Sequence, residues 1–293
     1  MSSSIQCFDE YYFQHNCGIP YRRDEVWLKL FEGIAQKIVD DFAPKTALDA
    51  GCAFGFLVES LRKRGVEAFG LDISEYAIKN VHESVKPYCW VGSVTEPFPQ
   101  RYDLITCIEV LEHLPKNEAE EAVKNFCAHT NVVIFSSTPY DYKEATHINI
   151  QPVEYWVEQF SHYQFYRDID TDVSYITKWA VKFVRCDKTI SQLIRDYERK
   201  FWRLWSENVD LRQALSEREQ IIRKLEKDLE TMPESELALM KEYIKALEDR
   251  SRQLEAILHS RSWKILLRFG KLRRWDFSPL QFPTPPKPPK GID

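Results

Sequence analysis

The nonapeptide Ala47-Leu48-Asp49-Ala50-Gly51-Cys52-Ala53-Phe54-Gly55 restricts the possible folds of this chain more than any other stretch. An apolar run ends in a turn of small residues, and an amphipathic segment follows at once. Such a sequence reads as a buried strand handing over to a helix through a tight loop. About twenty residues further on, a second apolar run ends in an acid, at Gly70-Leu71-Asp72-Ile73-Ser74. Glycines at the turn let a ligand approach the backbone, and a carboxylate closing the next strand can accept bonds from ribose hydroxyls.

The chemistry of the turn narrows the ligand. A dinucleotide site uses G-x-G-x-x-G to hold a pyrophosphate at a helix N-terminus. Here the order is Gly51-x-Ala53-x-Gly55, and Asp49 precedes it. A carboxylate there repels pyrophosphate and suits a ligand with a positive amino group. S-adenosylmethionine carries such a group and a ribose. The set Asp49, Gly51, Gly55 and Asp72, flanked by Cys52 and Ile73, resembles the cofactor site of class I S-adenosylmethionine-dependent methyltransferases.

Trp90-Val91-Gly92-Ser93 and Tyr102-Asp103-Leu104-Ile105-Thr106-Cys107-Ile108-Glu109-Val110-Leu111-Glu112-His113-Leu114 extend that resemblance over roughly residues 43–187. It implies that Ser93 lies by the adenine and that Glu109 belongs to the cofactor site. Two positions depart from the family pattern. Ala53 replaces the usual middle glycine, and Ser93 stands where an Asp is common, offering a hydroxyl in place of a carboxylate.

Periodicity supplies the scaffold. A helix is expected over 24–42, ended by Pro44. Strands are expected near 46–49, 67–71, 88–91, 102–108 and 131–136, with helices near 56–64, 75–84 and 117–127 between them. Phe165-Tyr166-Arg167 and Trp179–Val184 would close the sheet as an antiparallel pair. The fold class is therefore α/β: a Rossmann-like, seven-stranded, mostly parallel sheet with helices on both faces, followed by a C-terminal coiled coil. Ligands in such sheets bind beyond the carboxyl ends of the strands, where Asp72, Ser93, Glu109 and the segment after Ser137 should meet.

Methyl transfer to a hydroxyl needs a base, because a protonated alcohol is a poor nucleophile. Of seven histidines, two fall beyond strand ends: His113 after the fourth and His147 after the fifth. His147 is the favoured base. The loop from Ser137 to Asn149 is polar and aromatic and precedes Tyr155 and Trp156, so it reads as an acceptor site for a sugar. No histidine pair has helical metal-ligand spacing and no cysteines form C-x-x-C, so no metal is expected. The seven cysteines read as reduced thiols. The aromatic segment Phe8–Tyr21 has two readings: a lid placing Tyr11, Tyr12 or Tyr21 over the sulfonium, or an arm covering an apolar edge.

Beyond Asp187 the pattern changes to heptads. From Ile194 to Met232 the a positions are Ile194, Phe201, Asn208, Leu215, Ile222 and Leu229, and the d positions are Tyr197, Leu204, Leu211, Arg218, Leu225 and Met232. The pattern breaks at Pro233 and resumes out of phase. It suits either a homo-oligomeric coiled coil, with Asn208 fixing register, or two helices folded on one another. Residues 261–293 hold eight basic and two acidic residues, a net +6, so with −5 overall the first 260 residues carry −11. A basic amphipathic helix over 261–275 suits either an anionic membrane surface or an oligomer interface, and a proline-rich run follows.

The expected organisation is thus an aromatic arm and helix (1–42), a methyltransferase domain (43–187), a coiled coil (188–260) and a basic, proline-rich tail (261–293). This layout resembles bacterial methyltransferases of surface-glycan synthesis, which implies a sugar or glycan acceptor. A small metabolite is the alternative acceptor, and an inactive scaffold the alternative role. No signal peptide or bilayer-spanning run is read, so the expected location is cytoplasmic, at or near the inner membrane face. The acidic body and absent reading motif argue against nucleic acid.

Overall fold

The computed structural model describes residues 8–17, 19–229 and 234–259 of the 293-residue chain. These divide into two compact units that meet at Asp187/Lys188.

The first unit opens with a short helix, α1 (Glu10–His15), and a long one, α2 (Glu25–Phe42). Asp24 caps α2 by accepting bonds from the amides of Val26 and Trp27, which have no partner within the helix. At the other end Ala43 adopts a left-handed conformation before Pro44, which cannot continue the helix. The alternation expected from the sequence follows: β1 (Thr46–Ala50), α3 (Phe56–Arg62), β2 (Glu67–Asp72), α4 (Glu75–Lys79) and β3 (Cys89–Val91). Then come β4 (Leu104–Ile108), α5 (Lys116–His129), β5 (Val132–Ser136), α6 (Val153–Ser161), β6 (Phe165–Arg167) and β7 (Val181–Arg185). The strands form one seven-stranded sheet in the order β3-β2-β1-β4-β5-β7-β6. All pairings from β3 to β5 are parallel, and β7 runs against both β5 and β6.

Strand pleat decides which helix covers which face. Leu48, Ile105, Val133 and Phe183 pack with α5 and α6 through Phe126, Trp156 and Phe160. Their neighbours Ala47, Leu104 and Ile134 pack on the opposite side with α2 and α3 through Ile38, Leu57 and Leu61. The central strands β1, β4 and β5 are buried on both faces, which explains their nearly continuous apolar sequences. One expectation fails in length. The helix expected over 75–84 stops at Lys79, where Asn80 caps it and a loop leads to a single 3-10 turn at Lys86–Tyr88.

The second unit contains α7 (Ile190–Leu229) and α8 (Glu234–His259). Leu225 of α7 packs with Ile244, Tyr243 and Leu247 of α8, and Arg218 lies in the field of Arg250. Partners that descend in number along α8 as they ascend along α7 define an antiparallel hairpin. Over this stretch the heptad positions Arg218 and Leu225 face α8 of the same chain. Pro233 and the segment 261–275 lie outside the described residues.

Candidate functional site

The strand order reverses direction between β1 and β4, and the loops leaving β1, β2, β4 and β5 converge on the crevice this opens. The β1 turn is closed by its own backbone: the amides of Gly51 and Cys52 both donate to the Leu71 carbonyl, at 2.8 and 2.9 Å. Gly51 has φ +86°, and a β-carbon there would stand 2.3 Å from Val110 Cγ2, so only glycine fits. Gly55 is also left-handed and starts α3. Ala53 holds φ 46° without being glycine, and its amide donates to Asp72 Oδ2 at 2.8 Å. The departure from the family pattern at Ala53 therefore keeps the backbone shape. Cys52 is buried and sits beside Cys89.

Asp72 also accepts from the Ser74 amide through Oδ1 at 2.8 Å. It keeps some surface yet is raised in pKa by loss of water, as befits a carboxylate on the floor of a cleft. Ile73 beside it is partly buried. Asp49 is 6% exposed and accepts a 2.7 Å bond from Thr106 Oγ1. Burial first, and the charge of Asp72 second, push its carboxyl up to about 7 against that stabilising bond. Among the described residues neither acid has an ion-pair partner, so the cleft presents negative charge that the protein does not neutralise. The Gly92 amide donates to the Asp72 carbonyl, placing the β3 loop beside this pair. In that loop the Ser93 hydroxyl is engaged with Thr95 at 2.7 Å.

Glu109, just past β4, holds φ 54°, a strained angle for a residue with a side chain. Ser136 Oγ at 2.7 Å and Trp179 Nε1 at 2.8 Å both donate to its Oε1. The sequence placed Glu109 at the site, but nothing local could reveal Trp179, seventy positions away.

His113 and His147 come together as their positions beyond the strand ends suggested, with ring centres 4.7 Å apart. His147 Nδ1 lies 2.8 Å from the Asp141 carbonyl. A carbonyl only accepts, so Nδ1 is the donating nitrogen and Nε2 is the one turned to other partners. His113 Nδ1 faces Thr146 Oγ1 at 3.0 Å, and that hydroxyl in turn donates to Glu144. The same reasoning leaves His113 Nε2 as an acceptor, 3.4 Å from the Tyr12 hydroxyl. Burial, then the neighbouring His147, push His113 down to about 4, so it is neutral at pH 7. Beneath them lies Glu112, fully buried, with Oε1 bonded to the Thr138 amide and Oε2 without a partner. Burial and Glu109 raise its pKa well above the usual carboxylate range.

Glu112, His113 and His147 present donor atoms within 4.8 Å of one another. The sequence reading expected no metal because it sought helical or C-x-x-C spacing. Here the donors come from two loops, a geometry that no short motif encodes. An orphan carboxylate oxygen and two imidazole nitrogens form a donor set that fits a divalent cation.

The aromatic arm covers an apolar edge, one of the two readings raised for it. Phe13 and Tyr21 pack with Phe54, Phe56 and Tyr76 over an apolar edge. Tyr21 also lies in the field of Asp49 and Asp72, while Phe8 and Tyr12 reach the ring of His113 edge-on. Tyr11 points outward and stacks on His15. A cleft of about 540 Å³ opens along the arm between Phe13, Phe54, Tyr76 and Asn80. Its cationic residues Arg22 and Arg23 are already paired with Asp24 and Glu59.

A protein-family model described as a methyltransferase domain matches residues 21–170, just over half of the chain. The chain belongs to this methyltransferase family. The matched span covers β1 to β6 and all the loops described above. Among similar curated proteins is the ubiquinone biosynthesis O-methyltransferase of Proteus mirabilis, 36% identical over 88 residues, 27% of this chain and 36% of that protein. The corresponding protein of Methylococcus capsulatus is 31% identical over 108 residues, 33% of this chain and 44% of that protein. The chain therefore spans less than half the length of these relatives. Among solved structures, magnesium protoporphyrin IX methyltransferase of Synechocystis PCC 6803, with bound S-adenosylmethionine, aligns at 16% identity with a TM-score of 0.46, covering 64% of this chain and 99% of that one. An amino pentose methyltransferase of Micromonospora echinaspora, also with bound S-adenosylmethionine, aligns at 14% identity with a TM-score of 0.45, covering 55% and 92%.

Proposed function

We propose that the first unit binds S-adenosylmethionine and transfers its methyl group to a hydroxyl, with a sugar of a bacterial surface glycan as the acceptor. The observation that carries the reading is the pair of buried or half-buried acids, Asp49 and Asp72, beside a glycine turn that no cation among the described residues occupies. A ligand with an ammonium and a ribose satisfies both acids: Asp49 meets the positive charge, and Asp72 has lone pairs left for hydroxyls. The bound cofactor supplies a methyl group already activated by its positive sulfur.

What the protein adds is alignment, a proton acceptor and exclusion of water. His147 Nε2, left bare by the bond from Nδ1 to Asp141, is the favoured base, with His113 beside it. The arm shields this place, since Phe8 and Tyr12 lie against His113. Tyr140 and Tyr142 are exposed on the same loop as His147, next to Asp141, Lys143 and Glu144. Aromatic faces bordered by hydrogen-bonding groups suit a sugar ring.

A small metabolite is the second reading, in line with the curated relatives named for ubiquinone biosynthesis. The donor set of Glu112, His113 and His147 adds the possibility of a cation that steers the acceptor oxygen, for which loss of activity on chelation and recovery with added divalent metal is the test. The deciding experiment incubates the chain with labelled methyl donor and a panel of nucleotide sugars, oligosaccharides and catechols, read by mass spectrometry. Methylated sugar is expected. Label confined to catechols would overturn the glycan reading, and no binding of S-adenosylmethionine by calorimetry would overturn the cofactor.

The described residues contain no helix long and apolar enough to cross a membrane. The membrane-surface role proposed for 261–275 is tested by vesicle flotation with and without that segment.

A further inference from the structure

We infer that Trp179 determines acceptor specificity: its indole and the ring of Tyr140 form the wall on which a sugar ring packs. The inference rests on the glycan reading above and adds a residue from outside the loops that follow the parallel strands. β7 runs against β5, so it begins at the edge of the sheet where β5 ends. The register pairs Phe135 with Val181, and two further steps bring Trp179 opposite Ser137. The antiparallel strand thus presents its entry, and not its exit, on the ligand-binding side of the sheet.

Three loops meet at this indole. Trp179 Nε1 donates to Glu109 Oε1 at 2.8 Å, which ties the ring to the end of β4. Ser136 Oγ donates to the same oxygen at 2.7 Å and so brings in the end of β5. Tyr140, on the loop that carries His147, meets the indole edge-on, with ring centres 5.9 Å apart and planes at 84°. Lys178 Nζ lies 5.2 Å from the centre of the Tyr140 ring and 5.6 Å from that of Trp179, within range of attraction to both.

These rings are not core filling. Trp179 is half-buried and Tyr140 is 64% exposed. Since the indole N–H is already bonded to Glu109, what Trp179 offers a ligand is its fixed aromatic surface. The C–H groups on one side of a pyranose carry partial positive charge and meet the negative face of such a ring. A few placed polar groups then set its orientation, and Asp141 and Lys178 adjoin the two rings in sequence. Asp141 also holds His147 through its carbonyl, so a sugar on Tyr140 sits one residue from the support of the favoured base.

Saturation-transfer NMR on the full chain loaded with S-adenosylhomocysteine tests this, with UDP-glucose, UDP-N-acetylglucosamine, GDP-mannose and maltotriose as probes. Pyranose protons of at least one probe should receive saturation from the native chain. Trp179→Ala should weaken that probe at least tenfold, and Trp179→Phe, which keeps a ring and loses the N–H, should stay within threefold. Tyr140→Ala, a change at an exposed side chain, should weaken it at least fivefold. S-adenosylmethionine affinity by calorimetry should stay within twofold in all three. A probe that binds Trp179→Ala and Tyr140→Ala as tightly as the native chain overturns the wall and leaves the glycan reading standing. Equal losses of sugar and cofactor affinity in Trp179→Ala would show that the indole serves the cofactor through Glu109, and overturn it too. A native chain that takes up none of the probes overturns the wall and the glycan reading together.

Discussion

Asp49 couples the cofactor site to pH in a direction that can be worked out. Its carboxyl is pushed from the ordinary 3.8 to about 7 by burial and by Asp72. Between those values the unfolded chain has lost the proton and the folded one keeps it, so this group's contribution to stability declines as pH rises from about 4 to about 7. A cationic ligand beside Asp49 favours the ionised form. Binding of S-adenosylmethionine should therefore release a proton below about pH 7, and affinity should rise by at most tenfold per unit up to that pH. Calorimetry at pH 6 in two buffers of different ionisation enthalpy should show the release, and Asp49→Asn should abolish it. His147→Ala should lower kcat by about 10²–10⁴-fold and leave cofactor affinity within twofold, since the ring serves as base and not as a cofactor contact. Equal loss of kcat and affinity would instead make His147 part of the cofactor wall.

The segment before α2 is held by one ion pair with a clear energetic role. Glu59 is the buried acid of α3, and Arg23 grips it with two bonds, at 2.5 and 2.9 Å, while Lys63 adds a third contact. Arg23 first, with Lys63 behind it, pulls the Glu59 carboxyl down to about 2. A depressed acid stabilises the fold above its unfolded pKa, near 4.5, and loses that contribution as pH falls toward 2. Arg23→Ala should thus cost about 1–3 kcal/mol at pH 7 and progressively less below pH 4.5 in thermal melts. A deficit constant across that range would show that Arg23 acts by packing alone. At this scale sequence legibility divides cleanly. The strands and the turn at Gly51 were readable because apolar runs, small residues and Asp72 are local signals. The helix beginning at Glu75 was overextended because residues 80–84 continue a helical pattern, yet Asn80 caps the helix before them. The approach of Tyr12 to His113 and of Trp179 to Glu109 joins residues 101 and 70 positions apart. No spacing encodes such contacts. They exist only once the sheet order is set, which is why the arm's contact with His113 and the donor set of Glu112, His113 and His147 emerged from the structure.

The whole molecule joins a catalytic unit to a helical one at a boundary where the sheet has already closed. The last strand ends with Arg185 donating to the Asn131 carbonyl and Cys186 to the Gln164 carbonyl. Both faces of the sheet are covered by helices that precede Asp187, and the cofactor acids, the histidine pair and the arm all lie on that side of it. The hairpin has a small core of its own at Leu225 and Ile244. Folding and cofactor binding should consequently belong to residues 1–187. A chain ended at Asp187 should fold and bind S-adenosylmethionine within about threefold of the full chain. If that shortened chain aggregates or loses the cofactor by more than tenfold, the hairpin supports the pocket and the division of labour fails.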